Sequence, residues 1–212
     1  AVCNHNNKIG EKNMAKKYSI KEDFSMMAIL MIPVGVAVNV VGGQLASLLH
    51  LPMYLDTIGT IFTAIIAGPW VGAVTGMLTN IVTGILNPVN FWFIYVNVIA
   101  GLVTGFLARA GWFAVWWKGL IATIIMALVS TVASAPAVVY VFGGVTGSGT
   151  SLLTAVLMAS GQSIWASVLS VEIIWTTLDR IISWLVSLGV MACIPDRTLV
   201  KFSLGELYTK KH

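Results

Sequence analysis

Asn87-Pro88-Val89-Asn90-Phe91-Trp92-Phe93-Ile94-Tyr95-Val96-Asn97 lies between two long apolar segments. A proline turn, three asparagines, a tryptophan and a tyrosine gather there, while the sequence on either side has the composition of lipid-embedded helix. Two readings stay open for this stretch alone. It is the polar mouth of a helix bundle, or it is a turn with the interfacial aromatic belt that any membrane protein carries.

The surrounding composition supports the membrane reading. Of 212 residues, 58 % are hydrophobic and 9 % are charged, against about 25 % charged in a soluble domain. Mean hydropathy is +0.90. The apolar segments are about 16–26 residues long, which suits helices crossing a hydrocarbon core about 30 Å thick. Nothing alternates with the two-residue period of a membrane barrel. The fold class expected is therefore an all-α integral membrane protein, a bundle of six transmembrane helices with both termini cytoplasmic.

Outward from the opening stretch, the spans fall in order. The first runs from about Phe24 to Leu49 and holds Pro33, Gly35, Ala37, Asn39 and Gln44. A short outer loop, His50 to Asp56, leads into a second span ending near Ala67. Gly68-Pro69-Trp70 is an inner turn. The third span, to about Leu86, carries Gly72-x-x-x-Gly76, and the fourth, to Arg109, carries Gly101-x-x-x-Gly105. Small residues at this spacing let helix backbones approach closely. A tryptophan-rich inner loop, Arg109 to Lys118, precedes a fifth span from about Gly119 to Phe142. The apolar run from Ser151 to Ile194 is too long for one crossing. It divides near Gly161 into a short outer helix and a sixth span ended by Pro195-Asp196-Arg197.

In domain terms, residues 1–23 are a polar cytoplasmic tail, 24–197 the transmembrane substrate-binding domain, and 198–212 a basic cytoplasmic tail. The tail 1–23 is no signal peptide, and Met14 is a candidate natural start. The twelve Lys and Arg residues support the orientation. All but Arg180 fall on the inner side of the six-span arrangement, as the positive-inside bias requires.

The outer halves collect Asn39, Gln44, His50, Tyr54, Asp56, Asn80, Asn87, Asn90, Trp92, Tyr95, Asn97, Tyr140, Gln162, Trp165 and Glu172. Polar groups in a membrane bundle turn inward. They are then either a binding cup or glue between helices. Glu172 is the sharpest case, an isolated carboxylate in a span with no cation near it in sequence. Trp92, Tyr95 and Trp165 offer flat faces for an aromatic ring. Asn90, Asn97, Gln162 and Glu172 offer oriented polar contacts. Asp179 and Arg180 are adjacent, and neighbours on a helix do not face each other. Each is expected to find another partner in a structural role near the inner interface.

Enzyme readings fail for want of residues. Gly161-Gln162-Ser163 is similar to the serine motif of rhomboid proteases, but the only later histidine is His212 in the tail. No histidines and carboxylates stand at zinc spacing, and Cys3 and Cys193 have no metal-ligand partner. No phosphate loop is present, and no cofactor is expected. Asn87-Pro88-Val89 resembles half of an aquaporin signature without its second half. No internal repeat of the kind many secondary transporters carry is visible.

From about Lys16 to Lys201 the chain resembles the S components of energy-coupling factor transporters, the small six-helix proteins that capture vitamins. The carriers are Gly68-Pro69-Trp70-Val71-Gly72-Ala73-Val74-Thr75-Gly76, the outer loop after the third span, Leu178-Asp179-Arg180 and Ile194-Pro195-Asp196-Arg197. Within the family it looks most like the hydroxymethylpyrimidine or pyridoxine type. The resemblance implies a multi-pass protein of a prokaryotic plasma membrane. Such a protein is a non-catalytic subunit that binds a vitamin outside, with the loop between spans 1 and 2 as lid. It then docks on a transmembrane T component driven by two cytoplasmic ATPases. The pocket expected on this basis is Asn39, Gln44, Tyr54, Asn80, Asn87, Asn90, Trp92, Tyr95, Asn97, Tyr140, Gln162, Trp165 and Glu172. The docking residues expected are Pro33, Gly35, Ala37, Gly72 and Gly76, although the family's Ala-x-x-x-Ala pattern is not reproduced. A membrane scaffold without a small ligand, and a stand-alone facilitator, are the alternatives.

Overall fold

The computed structural model describes residues 20–49 and 51–208, with backbone alone at positions 21 and 22. Cys3, Met14, the lysines before position 20, His50, Lys210 and Lys211 lie outside the described residues. Seven principal helices follow in order: α1 Met26–Leu48, α2 Ile58–Ala67, α3 Pro69–Leu86, α4 Ile94–Arg109, α5 Trp116–Pro136, α6 Gly149–Ala159 and α7 Ile164–Ala192. No strand occurs among the described residues. Five helical stretches are long and apolar enough to cross a membrane: Met26–Leu48, Pro69–Leu86, Pro88–Arg109, Trp116–Val141 and Ile164–Ala192. The chain is an all-α membrane protein.

The second span differs from its expectation. The helix there, α2, has ten residues. At 1.5 Å per residue it is about 15 Å long, half of what the hydrocarbon core requires. All ten of its residues are buried, and it packs against α1, α3, α4 and α7. Ile61, Ile65 and Ile66 are wholly shielded and form the centre of the core with Val71, Met126 and Trp184. So α2 is an internal post about which longer, lipid-facing helices are arranged.

Close approach of backbones makes this possible. Gly59 of α2 lies against Gly35 of α1, and a Cβ at Gly59 would overlap the Gly35 carbonyl. The two Gly-x-x-x-Gly pairs meet across α3 and α4: a Cβ on Gly72 would stand 3.2 Å from the Gly101 carbonyl, and one on Gly76 2.6 Å from that of Asn97. These contacts exclude any larger side chain.

The helix break near Gly161 is present. Residues 160–163 separate α6 from α7, and Gly161 takes φ +92°, a conformation glycine adopts without steric cost. The Ser163 hydroxyl caps α7 by accepting from the Ala166 amide. The expected loop before α5 is shorter than supposed, since Trp116, Trp117 and Lys118 already belong to the helix.

At the Arg109 end, Asp23 accepts from the Arg109 guanidinium at 2.7 Å. The chain from 198 onward is not a free tail as far as Tyr208. It folds back across this end of the bundle. The Leu204 amide donates to Ile66 O at 3.0 Å, Ser203 Oγ to Ala67 O at 2.9 Å, and Tyr208 OH to Ala108 O at 3.4 Å. Leu199, Phe202 and Leu204 are buried. The reason is that the last carbonyls of α2 have no partner within their own helix and are buried, so another segment must satisfy them.

Candidate functional site

At the Asn87 end the chain does the opposite of looping outside. After α1 it turns back into the bundle as irregular backbone, residues 51–57, before α2 begins. Its depth can be read from α7. Asp179 is fifteen residues past Ile164, about 22 Å along the helix. Asp179 Oδ1 accepts from the amides of Tyr54 (3.1 Å) and Leu55 (2.7 Å). Irregular backbone at membrane depth is tolerated only where protein shields it and supplies hydrogen bonds. Asp179 supplies them. Leu55 has φ +48°, a left-handed conformation that costs a branched residue free energy and persists only where surroundings enforce it.

Asp179 and Arg180 each find the further partner that the sequence reading expects, the inserted backbone and Thr57, but correct it in two respects. They are paired with each other, Arg180 Nη1 to Asp179 Oδ2 at 2.9 Å, and they lie at mid-helix rather than near an end. The adjacency rule concerns short reach from opposite faces. A long guanidinium bends back and escapes it. Arg180 also donates to Thr57 Oγ1, just before α2. Both side chains are buried.

Glu172 lies two turns nearer the Asn87 end of α7, 5 % exposed. Its Oε1 accepts from Tyr54 OH at 2.9 Å and Thr150 Oγ1 at 3.5 Å, and its Oε2 from Thr176 Oγ1 at 3.2 Å. Tyr54 OH is also 3.0 Å from Thr150 Oγ1. No Lys, Arg or His lies within ion-pair distance of Glu172 among the described residues.

Two amide clusters flank this centre. Asn97 Nδ2 donates to Asn80 Oδ1 and, at 3.3 Å, to Asp56 Oδ2. Asn80 Nδ2 donates to Asn90 O at 3.0 Å, and Asn90 Nδ2 to Thr83 O at 3.4 Å. Deeper, Asn39 Nδ2 donates to Thr60 Oγ1 and Thr79 Oγ1, both at 2.9 Å, and its Oδ1 accepts from the Gly59 amide at 2.6 Å. Asn39 thereby ties α1, α2 and α3 with both amide hydrogens and its carbonyl oxygen.

The expected residues therefore divide. Tyr54, Glu172, Asn80, Asn90 and Asn97 converge around the inserted segment. Asn39 is buried in the three-helix junction. Gln44, Asn87 and Gln162 are exposed, and Asn87 Oδ1 caps the following turn by accepting from the Val89 amide at 3.2 Å. The aromatics do not form one stacking platform. Trp92 packs edge-on against Phe142 with centroids 6.5 Å apart, and Trp165 against Tyr140 at 5.5 Å. Tyr95 donates to Ala133 O at 2.8 Å. Of the small residues, Gly35, Gly72 and Gly76 face into the bundle, where other helices occupy them. Pro33 and Ala37 are exposed and line a shallow apolar groove of about 490 Å³ with Val36, Val40, Leu78 and Val82.

Several members of the site were not anticipated: Thr57, Thr150, Thr176 and the Asp179–Arg180 pair as anchors of the inserted segment. The threonines carry no periodic signal, because single hydroxyls are common in membrane helices. Among the described residues no group of three or more metal-ligating side chains occurs. No protein-family model matches the chain, and no curated protein or solved structure matches it.

Proposed function

We propose that the chain is a substrate-capture subunit of an importer of the energy-coupling factor type, binding a small water-soluble vitamin or precursor. Pyridoxine or hydroxymethylpyrimidine is the favoured ligand. The observation that carries this reading is the inserted segment. Residues 51–57 reach polar side chains of α4, α6 and α7 through Asn97, Thr150, Glu172 and Asp179. A loop held by polar contacts over ionisable side chains suits a lid, and the phenol of Tyr54 occupies the position on Glu172 that a ligand hydroxyl or amine would take. Withdrawal of Tyr54 leaves a carboxylate and Thr150 facing the incoming molecule.

In this reading six crossings are completed by counting the inserted segment with α2, and both termini are cytoplasmic. Arg109, Lys118, Arg197 and Lys201 cluster at one end, which the positive-inside bias assigns to the cytoplasm. The membrane is then a prokaryotic plasma membrane. Energy comes from a T component and two ATPases, because the chain has no phosphate loop of its own. Their docking face is the groove around Pro33 and Ala37.

A second reading, a membrane scaffold without a ligand, is favoured by the saturation of Asn39, Asn80 and Asn97 within the bundle. A thermal-shift screen of the detergent-purified chain against water-soluble vitamins separates the two. The capture reading expects a stabilising shift with one heterocycle, lost in Glu172→Ala, and co-purification with a T component and its ATPases on co-expression. A well-folded chain that no vitamin stabilises, and that retains no such partners, fits the scaffold instead.

A further inference from the structure

The loop from Gly143 to Gly149 holds hydroxyls that the capture reading does not use. Thr146 Oγ1 is 2.9 Å from Ser148 Oγ, and Ser148 Oγ is 2.9 Å from Thr150 Oγ1. Thr150 Oγ1 is 3.0 Å from Tyr54 OH, which donates to Glu172 at 2.9 Å. Four consecutive contacts, none longer than 3.0 Å, join a partly exposed loop residue to a buried carboxylate. Each hydroxyl has one proton to give and lone pairs to receive one. In the first three contacts either oxygen can be the donor, so the chain can be oriented in either direction. Such chains polarise along their length.

The geometry points to Glu172 as a proton-exchanging site, loaded from the Asn87 end through the hydroxyl chain Thr146–Ser148–Thr150–Tyr54. A hydronium at the loop gives its proton to Thr146. Each oxygen accepts one proton from the loop side and passes its own inward. The hydronium becomes water, the carboxylate becomes a carboxylic acid, and rotation of the hydroxyls resets the chain. Isolated ionisable groups in membrane helices commonly serve proton movement or ligand binding. Here the connected path to the loop is the observation that selects proton movement.

The charged surroundings of Glu172 are few. The inserted segment brings Tyr54 and Asp56, and α7 itself brings Asp179 and Arg180. Helices α1, α2, α3 and α6 carry no ionisable side chain. Those of α4 are Tyr95, which donates to Ala133 O, and Arg109 at the far end; α5 has only Lys118, also at the far end. Arg180 is committed to Asp179 and Thr57. Among the described residues, the proton is therefore the available neutralising cation at Glu172. Its occupancy decides whether the site offers a charge or a hydrogen-bond donor to a ligand.

The inference concerns the same carboxylate as the capture reading but not what the site captures. An infrared measurement reads it independently of any vitamin screen. The protein in nanodiscs is titrated with pH, and the carbonyl stretch of a protonated buried carboxyl is followed, then its exchange after transfer to D2O. The expected result is a titrating band that is absent in Glu172→Gln and exchanges about tenfold or more slowly in Ser148→Ala and Thr150→Val. With Glu11, Glu22 and Glu206 replaced by glutamine, glutamate labelled with 13C identifies the Glu172 band in a chain that keeps Glu172, so the test survives a Glu172→Gln protein that fails to fold. Ser148→Ala changes only the loop and serves if Thr150→Val does not fold. The inference is overturned if no glutamate band titrates, or if exchange is as fast in Ser148→Ala as in the parent.

Discussion

Asp179 is the residue on which the inserted segment depends. It accepts two backbone amides and the Arg180 guanidinium at once. Breaking a buried ion pair by removing one partner leaves an uncompensated charge, a cost of about 3–5 kcal/mol. Asp179→Asn is therefore expected to lower the thermal midpoint of the purified protein sharply. The double variant Asp179→Asn/Arg180→Gln should recover part of that loss, since no charge is left stranded. If the double variant is no more stable than the single one, the pair's contribution is not electrostatic. At this scale the sequence was half legible. Glu172 stood out because a lone carboxylate in an apolar helix is rare. The partners that make it a site, Thr150 and Thr176, were not visible, because nothing distinguishes a functional threonine from the many that bond to their own helix. Thr75, Thr79 and Thr104 all do the latter, each to the carbonyl four residues before it.

Among the elements, α2 shows what hydropathy misses. Its residues are apolar enough for a span, so composition alone extends a membrane helix through them. Length decides otherwise, because the polar run before it is drawn inward to Asp179 and Glu172 and the helix begins only at Ile58. The break at Gly161 was legible for a physical reason: a run longer than the bilayer must turn somewhere, and glycine turns at least cost. The crowding of α2 against α1 gives a paired expectation. Gly59→Ala places a methyl against the Gly35 backbone, and overpacking of this kind costs about 1–3 kcal/mol or more where no side chain can yield. Gly189 of α7 has nothing within 4 Å of the position a Cβ would take. Gly189→Ala there gains helix propensity, about 0.5–1 kcal/mol. Thermal unfolding in detergent should thus move in opposite directions for two chemically identical substitutions. Equal behaviour would mean that the tight α1–α2 contact does not limit stability.

Over the whole molecule, the chain closes its bundle from both ends with its own connecting segments, the irregular backbone of 51–57 at one and the short helical turns of 196–208 at the other. The second follows from the buried C-terminal end of the helix it covers: α2 stops at Ala67 with its carbonyls unsatisfied, and Leu204 and Ser203 bond them. Full burial of a leucine or phenylalanine is worth about 1.5–3 kcal/mol. A chain ending after Pro195 loses Leu199, Phe202 and Leu204 from the core and is expected to be markedly less stable in detergent, whereas a chain ending after Tyr208 keeps the parent's midpoint. The strap also marks a face. Cys193 is exposed just before it, at the end that carries Arg109 and Arg197. With Cys3 replaced by serine, a membrane-impermeant thiol reagent should label Cys193 in inside-out vesicles and not in intact cells. Labelling in intact cells would invert the orientation. The Tyr54–Glu172 centre and the hydroxyl chain to it would then open toward the cytoplasm, and a subunit that captures its ligand from outside could not be built on them. Orientation is thus the one property of the whole molecule on which the meaning of each residue in the site depends.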